Sequence, residues 1–319
     1  MGKYLLRRLL IAIPTLLLIS FVIFAILSLA PGDPLAQFAA NPAVPFEVRE
    51  NIRRSLGLDQ PWPIRYVKWV TAAAQGDLGY SFNSKIPVMS LIWQRLPNTL
   101  AVLGVAYVLS VILALPIGII SAVKRYSIFD HAVTTFAFIG FSVPTFFTGI
   151  LLILLFSVKL HWLPFIYDST LQINGLDGMV SQLRQSIMPI TVLTLFQTAT
   201  LARFVRSEML ENLPLDYVRT ARAKGLRERF VVIGHVLRNS MIPVVTLVAI
   251  GVPTVFAGAL ITEQIFRIPG LGALLIQSIQ NSDIPVVMGA TFIFSVLVVL
   301  FNIVADLLYG VLDPRIRYS

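Results

Sequence analysis

Long apolar stretches without a charged residue recur along the chain, and charges cluster between them. Six such stretches contain no Asp, Glu, Lys or Arg: residues 9–32, 96–123, 131–158, 185–202, 239–262 and 284–305. About 20 apolar residues in a helix cross a bilayer, because each residue rises about 1.5 Å through a core about 30 Å thick. A backbone in lipid must satisfy its own hydrogen bonds, which favours helices. The pattern therefore predicts an all-α membrane protein with six transmembrane helices.

The composition agrees with a membrane protein. Of the 319 residues, 56% are hydrophobic and 13% are charged, whereas soluble domains carry about a quarter charged residues. The absence of cysteine excludes disulfides and cysteine catalysis, and only three histidines are present to bind a metal. A net charge of +9 could indicate nucleic-acid binding. The cations cluster between apolar runs, so membrane orientation explains them better, and we expect no nucleic-acid partner.

The positions of Lys and Arg predict the orientation in the membrane. With the N-terminus inside, four cytoplasmic segments hold 15 Lys and Arg in total: residues 1–8, 124–131, 203–240 and 306–319. The short outer loops, 159–185 and 263–284, hold three. Both termini are then cytoplasmic, which agrees with six spans, because an even number of spans leaves both termini on the same side.

The first apolar run could be a secretory signal, but it exceeds the roughly 7–15 residues of a signal core, which favours a retained span.

These features divide the chain into four parts: an N-terminal transmembrane helix (1–30), an extracytoplasmic helical loop (31–96), a transmembrane core (97–309) containing a cytoplasmic coupling loop (207–240), and a cytoplasmic tail (310–319). Within the outer loop we expect helices from Pro45 to Gly57 and from Pro63 to Gln75. Three aromatic residues are available there as interfacial anchors: Trp62, Tyr66 and Trp69. From the residues alone, this loop either rests on the outer leaflet or is a docking surface.

A basic segment over 212–239, NLPLDYVRTARAKGLRERFVVIGHVLRN, is neither a span nor an outer loop. It predicts two short amphipathic helices with a glycine between them, a shape suited to a groove on a partner. The first helix has Asp216 in its first turn, Tyr217, Val218 and Ala221 on one face, and Lys224 and Gly225 at its end. On charge alone, a basic loop kept inside by the positive-inside rule explains the segment as well.

The order of residues in this segment favours the docking interpretation. YVRTARAKGL followed by HVLRNSMIP resembles the cytoplasmic loop of integral permeases of binding-protein-dependent ABC importers, and is closest to the dipeptide, oligopeptide and nickel subgroup. The wider family begins this loop with Glu-Ala-Ala and has a glycine six residues after the Glu. Here Arg219, Thr220 and Ala221 stand in that frame with Gly225 in register, which matches the RTARAKG form of the peptide subgroup.

The resemblance extends over nearly the whole chain, in pieces that keep the order and spacing of the family: KYLLRRLL, LAPGDP, LGLDQPWPIRYVKW, GDLGYSF, RLPNTL, SVPTFFTGILL, EQIFRIPGLG and DPRIR. It implies a type I ABC importer permease fold and the first of two permease subunits in a bacterial inner membrane. The implied partners are a homologous second permease, two cytoplasmic ATPase subunits that hold ATP and Mg²⁺, and an extracytoplasmic substrate-binding protein. No cofactor is expected on this chain.

The residues expected to couple the chain to an ATPase are Asp216, Tyr217, Arg219, Thr220, Arg222, Ala223, Lys224, Gly225 and Leu226. The residues expected at a translocation path or gate are Gly251, Pro253, Thr254, Gly258, Glu263 and Asn302. Proline kinks a span and small residues allow close helix approach, which singles out the fifth span. The polar side chains within the spans, among them Gln197 and Thr254, could equally line a pore or join helices by hydrogen bonds.

Three classes of function remain to be compared. A secondary carrier or channel normally places ionisable residues within its spans, and the span cores here contain none. A membrane enzyme needs clustered His or carboxylates, and no Walker, HExxH, GxSxG or CxxC motif is present. We therefore predict a non-catalytic permease subunit without a metal site. Peptide is the first choice of substrate, with nickel or glutathione as alternatives within the same subgroup.

Overall fold

The computed structural model describes residues 2–29, 47, 50, 54, 59–168, 171, 175–257 and 259–312. Within these residues the chain is almost entirely helical, apart from turns and an isolated bridge between Tyr80 and Pro87. The helices are α1 (Gly2–Leu29), α2 (Trp62–Ala74), α3 (Val88–Thr99), α4 (Val105–Val123), α5 (Ile128–Ser142), α6 (Thr145–Leu152), α7 (Gly175–Asn212), α8 (Asp216–Ala223), α9 (Glu228–Val231), α10 (Arg238–Ala257), α11 (Leu260–Ile265), α12 (Leu271–Gln280) and α13 (Ile284–Leu312). Wider π-helical turns join α3 to α4, extend α6, and join α9 to α10: Leu100–Gly104, Ile153–Lys159 and Val232–Leu237.

The membrane spans lie where the uncharged stretches predict them. In the described part, five helical stretches are long and apolar enough to cross a bilayer: Leu6–Leu29, Val88–Val123, Gly175–Asn212, Glu228–Ile265 and Ile284–Leu307. Ile128–Gly140 and Thr145–Lys159 are bent by 97° at the break between them, and they count as a sixth span when the pair is taken together. The predicted all-α membrane fold is confirmed.

Pro144 explains the bend in the third span. Val143 has an extended backbone, with φ −96° and ψ 119°. This conformation is expected before proline, because the proline ring excludes its predecessor from the helical region. Pro144 then precedes the first turn of α6, where its missing N–H removes no helical hydrogen bond. Pro144 therefore marks a sharp break between two helices.

Aromatic ring contacts connect α2 to the first and last spans. The ring centroid of Phe21 lies 5.7 Å from that of Trp62 and 5.4 Å from that of Tyr66. Trp69 meets Phe292 of α13 edge-on at 5.4 Å. Because all three expected interfacial anchors contact other side chains, they also fix α2 to the helix bundle.

The helix predicted from Pro63 to Gln75 is confirmed as α2, displaced by one residue at each end. Most of the helix predicted from Pro45 to Gly57 lies outside the described residues.

At the other end of the bundle, Arg8 Nη2 of α1 lies 3.2 Å from Asp306 Oδ2 of α13. The start of the first span and the end of the last therefore lie on the same side of the bundle.

A close crossing of α4 and α7 forms the centre of the bundle at the end where α8 lies, called here the α8 end. A Cβ on Gly118 would lie 2.7 Å from both the Ala202 carbonyl oxygen and Val205 Cβ, so only glycine allows this approach. The buried residues around the crossing, called here the α8 cluster, are Ala114, Ala122, Leu201, Ala202, Val205, Met209, Val218, Ala221, Val231, Val232, Val236 and Val244. The cluster joins α4, α7, α8, α9 and α10 in one apolar core.

Candidate functional site

α8 is held against the bundle by one buried face. Val218 is fully buried and Ala221 is 5% exposed, and both belong to the α8 cluster together with Met209 of α7. The hydroxyl of Tyr217 donates a hydrogen bond to Asn212 Oδ1 at 3.0 Å, which ties α8 to the end of α7. The face predicted from the sequence is the buried face of the helix. α8 therefore cannot move without disturbing the packing of the spans beneath it.

The end of α8 requires a residue in the left-handed conformation. Gly225 N donates to Arg222 O at 2.9 Å, and Leu226 N donates to Ala221 O at 3.4 Å. This pair of bonds is the Schellman motif, in which the residue after the helix cap is left-handed. Gly225 has φ +77°, which favours glycine. A Cβ at this position would meet no atom within 4 Å, so the requirement for glycine is conformational and not steric.

An ion pair bridges the turn at Gly225. Arg222 Nη2 donates to Glu228 Oε1 at 2.7 Å, and Arg222 Nε donates to Glu228 Oε2 at 3.0 Å. The two side chains are 41% and 57% exposed, so the pair stabilises the fold by at most about 1 kcal/mol. Its two-point geometry fixes direction more than it adds stability. The pair sets the angle between the end of α8 and the start of α9.

The other side of α8 and its turn is exposed, basic and partly apolar. These exposed residues, called here the α8 face, are Asp216, Arg219, Thr220, Arg222, Ala223, Lys224, Gly225 and Leu226. Two large apolar side chains lie beside them on the next segment: Phe230 is 64% exposed and Ile233 is 52% exposed. Exposed apolar side chains surrounded by charge are typical of a protein interaction site.

The second of the two predicted short helices is not separate. α9 continues through the turn Val232–Leu237 into α10, so Glu228–Ile265 is one helical stretch. The prediction of a separate helix was wrong because no proline interrupts the chain between Glu228 and Ile242, and buried Val231, Val232 and Val236 continue the apolar stripe of the span. Of the two predicted helices, only α8 is separate from the spans along the chain, and the turn at Gly225 leads directly into the fifth span.

A buried ion pair lies near α8, and the sequence did not reveal it. Arg206 Nε donates to Asp130 Oδ1 at 2.6 Å, and Arg206 Nη2 donates to Asp130 Oδ2 at 2.8 Å. The carboxylate also accepts bonds from the Ser121 hydroxyl and from Tyr126 N. A charged residue at the end of a span is ordinarily explained by its position at the membrane interface. That explanation sufficed for Asp130 and Arg206 separately, so the sequence did not indicate that they form a pair. It joins α4, α5 and α7 at the α8 end.

Glu263, predicted at the gate, is fully buried at the opposite end of the bundle. Its Oε1 accepts from the Thr99 hydroxyl at 3.0 Å, and its Oε2 accepts from Ala273 N at 2.8 Å. Thr99 Oγ1 accepts in turn from Leu271 N at 2.8 Å. The carboxylate and the hydroxyl thus satisfy free N–H groups in the first turn of α12, where negative charge is favoured. In this conformation Glu263 holds the Phe266–Gly270 turn against α3.

A second buried carboxylate organises the outer loop near α3. Asp283 accepts from the Ser81 hydroxyl at 2.5 Å and from Phe82 N at 2.9 Å. It lies between α12 and α13 and is 2% exposed. This contact could not be predicted from local sequence, since about 200 residues separate the partners. Like Glu263, Asp283 accepts hydrogen bonds from backbone N–H groups that the fold removes from solvent.

One of the predicted path residues, Gly251, lies against a tyrosine that the sequence analysis did not single out. The ring of Tyr107 occupies the space that a side chain at Gly251 would need. The Tyr107 hydroxyl donates to Val248 O at 2.5 Å, and the Thr254 hydroxyl donates to Gly251 O at 2.6 Å. Pro253, between these positions, is buried. This part of α10 therefore packs closely on α4 while Thr254 remains exposed.

The remaining path residues are more scattered. Asn302 is exposed on α13, which runs beside α10: Phe256 and Phe301 have ring centroids 6.0 Å apart. Gly258 lies outside the described residues. In the described part of the chain, no group of three or more His, Asp or Glu side chains could hold a metal ion.

Comparison with known proteins gives a consistent result along the chain. Residues 114–318 match the family described as the binding-protein-dependent transport system inner membrane component, and residues 1–103 match its N-terminal family. The chain is 41% identical over 319 residues to the oligopeptide transport system permease protein AppB of Bacillus subtilis (strain 168). It is 39% identical over 340 residues to the dipeptide transport system permease protein DppB of Escherichia coli (strain K12). Both alignments cover 100% of each chain.

The family assignment therefore rests on both halves of the chain. The match over 114–318 includes α8, its turn and the spans that hold it, and the match over 1–103 includes the first span and the outer loop. The resemblance drawn from short motifs is confirmed. The chain belongs to the family of inner membrane components of binding-protein-dependent transport systems, as a multi-pass permease subunit.

Proposed function

We propose that the chain is one of two homologous permease subunits of an ATP-driven importer for dipeptides and oligopeptides. The names of its relatives, which specify oligopeptide and dipeptide transport, support this substrate class. Two cytoplasmic ATPase subunits hold ATP and Mg²⁺ and supply the energy. An extracytoplasmic binding protein delivers the peptide, and the outer loop 31–96 is its docking surface. This chain catalyses no reaction and carries no cofactor.

The observation that carries the proposal is that α8 has one face buried in the spans and the other free. Arg219, Lys224 and Leu226 on the α8 face, with Phe230 beside them, occupy a groove on an ATPase subunit. Closure of the two ATPases on ATP displaces α8. Because Val218 lies in the α8 cluster, the displacement passes to α4, α7 and α10.

The α8 end of the bundle faces the cytoplasm in this proposal, and both termini lie there. The basic residues of α8 and its turn support this orientation through the positive-inside rule. The contact between Arg8 and Asp306 supports a common side for the start of the first span and the end of the last.

The translocation path runs beside the fifth span, along Gly251, Pro253, Thr254, Gly258 and Asn302. Close packing of Gly251 on Tyr107 and the exposed hydroxyl-bearing Thr254 support this location. Glu263 acts from the outer end, because it holds the Phe266–Gly270 turn that follows α11. Movement of α10 therefore changes the path and the outer turn together.

The test uses the assembled transporter, with its second permease, ATPases and binding protein, in proteoliposomes. We expect uptake of a labelled dipeptide that requires both ATP and the binding protein. Charge reversal of the α8 face by R219E and K224E is expected to lower stimulated ATP hydrolysis and uptake at least about 10-fold, since the groove contact is lost. The matched control K124E reverses an exposed cation at the same end outside the α8 face and is expected to retain both activities.

Several outcomes would contradict the proposal. Saturable uptake of a nickel chelate or glutathione, with no dipeptide uptake, would assign another substrate of the same subgroup. Uptake by the isolated chain along an ion gradient would identify a secondary carrier. Equal activities for the α8-face variant and K124E would remove the coupling role of α8.

A further inference from the structure

A small, half-open cavity with three polar side chains in its wall lies within the membrane-spanning part of the chain, where α4, α7 and α10 meet. Its volume is about 170 Å³, and its three polar lining residues are Tyr107 of α4, Gln197 of α7 and Thr254 of α10. The other residues of its wall are apolar, and no charged residue lines it within the described chain. A polar cavity without charge differs from both an ion site and an ordinary apolar gap between helices.

Gln197 contributes the group that most needs a partner. Its side chain is partly exposed to the cavity, and it forms no hydrogen bond within the described part of the chain. Its amide is therefore available to a polar group that enters the cavity. Interior glutamines that serve only to join helices satisfy their amides across the interface. The free amide of Gln197 instead favours a site that a polar group enters.

The two hydroxyl groups determine which polar groups fit. The Tyr107 hydroxyl donates a hydrogen bond to Val248 O at 2.5 Å, and the Thr254 hydroxyl donates one to Gly251 O at 2.6 Å. Because each O–H is already used, the two oxygens can offer only lone pairs to a further partner, whereas the Gln197 amide offers donors and an acceptor. A neutral group that carries both an N–H and a C=O matches this set. A carboxylate or an ammonium ion would lose its hydration and find no opposite charge.

We propose that this cavity is a hydrogen-bonding subsite for the peptide bonds of the substrate as they pass through the permease. The inference rests on the proposed function as a peptide importer. A volume of about 170 Å³ is below the roughly 300–1,000 Å³ of small-molecule sites, so the cavity holds one peptide unit and not a whole substrate. Recognition of the backbone, common to all peptides, allows passage of substrates that differ in their side chains.

The test replaces the amide with an apolar group of similar length, Gln197→Met. In proteoliposomes with saturating loaded binding protein, we compare a dipeptide with its analogue methylated at the peptide nitrogen, which lacks the N–H donor. One neutral hydrogen bond contributes about 0.5–1.5 kcal/mol, or about 2–10-fold in rate. The unaltered transporter is expected to move the dipeptide about 2–10-fold faster than the analogue, and Q197M is expected to move both at nearly equal rates.

Two controls make the result specific to the amide. Gln197→Asn keeps an amide at the cavity and is expected to retain discrimination. Ser295→Ala removes a span hydroxyl that donates to Thr291 O, outside the cavity, and is expected to behave like the unaltered protein. Because discrimination is a ratio of two rates, it does not depend on how much transporter assembles.

The inference is overturned if the unaltered transporter does not distinguish the two peptides, or if Q197M discriminates as well as Q197N does. A transporter that imports no dipeptide at all would instead contradict the proposed function.

Discussion

Arg206 and Asp130, which are 76 residues apart in the sequence, form a two-point ion pair between α7 and α5, with Nε–Oδ1 and Nη2–Oδ2 distances of 2.6 and 2.8 Å. The pair fixes the start of α5 to the part of α7 that precedes Met209, whose side chain lies in the α8 cluster. In the proposed coupling, a displacement of α8 would reach the third span through this pair, and α4 and α10 through the α8 cluster.

Substitution Asp130→Asn is expected to destabilise the protein by about 3 kcal/mol, because Arg206 loses its counter-charge in a largely desolvated position. The side chains of Asp130 and Arg206 are 3% and 24% exposed. The measurement is the melting temperature of the purified transporter in detergent. Asp306→Asn is the matched control: its partner Arg8 is 43% exposed, so this change is expected to cost less than about 1 kcal/mol. Equal shifts for the two variants would show that burial of the Asp130–Arg206 pair has no energetic consequence.

Gly225→Val is expected to leave the protein in the membrane but to reduce stimulated ATP hydrolysis and import. The backbone at φ +77° disfavours a β-branched residue by about 1–3 kcal/mol, so the turn changes direction and the Arg222–Glu228 pair is displaced. Gly225→Asn is the control, since asparagine tolerates the left-handed region and an added Cβ meets no atom within 4 Å. Both activities are measured per assembled complex. Similar losses of ATP hydrolysis and import in G225V and G225N would show that the left-handed backbone at Gly225 is not required for these activities.

Gly118→Ala is expected to prevent the close crossing of α4 and α7 and to lower the yield of folded protein. The new methyl group would meet the Ala202 carbonyl oxygen and Val205 Cβ at 2.7 Å, and backbone at that distance cannot yield without separating the helices. Gly140→Ala provides the comparison, because its Cβ would lie 3.6 Å from Ala199 Cβ, an ordinary contact. Size-exclusion profiles of the solubilised variants measure the difference. A normal profile for G118A would show that the crossing can open without loss of the fold.

The sequence predicted those features that depend on local composition. The spans are visible as uncharged stretches, and the turn at Gly225 is visible as a cation followed by glycine. The contacts of Arg206 with Asp130 and of Thr99 with Glu263 were not predictable, because each joins residues far apart in the sequence and nothing local to either residue identifies its partner. The division of the segment after Gly225 into a separate helix was wrong because a cluster of charges there resembled a helix boundary. The apolar stripe through Val231 and Val236 overrides those charges.

Glu263→Gln is expected to loosen the turn before α12. The carboxylate accepts two hydrogen bonds, from Thr99 and Ala273 N, and a glutamine amide has only one oxygen. With its oxygen toward Ala273 N, the glutamine turns its NH₂ group toward Thr99, whose hydroxyl must then accept and loses its own acceptor; in the other orientation the NH₂ group faces the Ala273 N–H. Either arrangement costs about 1–3 kcal/mol. Hydrogen exchange at the Leu271 and Ala273 amides should accelerate at least about 5-fold. Asp283→Asn is the reciprocal control: exchange should accelerate at Phe82, which donates to Asp283, and remain unchanged at Leu271 and Ala273. Unchanged exchange at Ala273 in E263Q would show that the Glu263 carboxylate does not hold this turn.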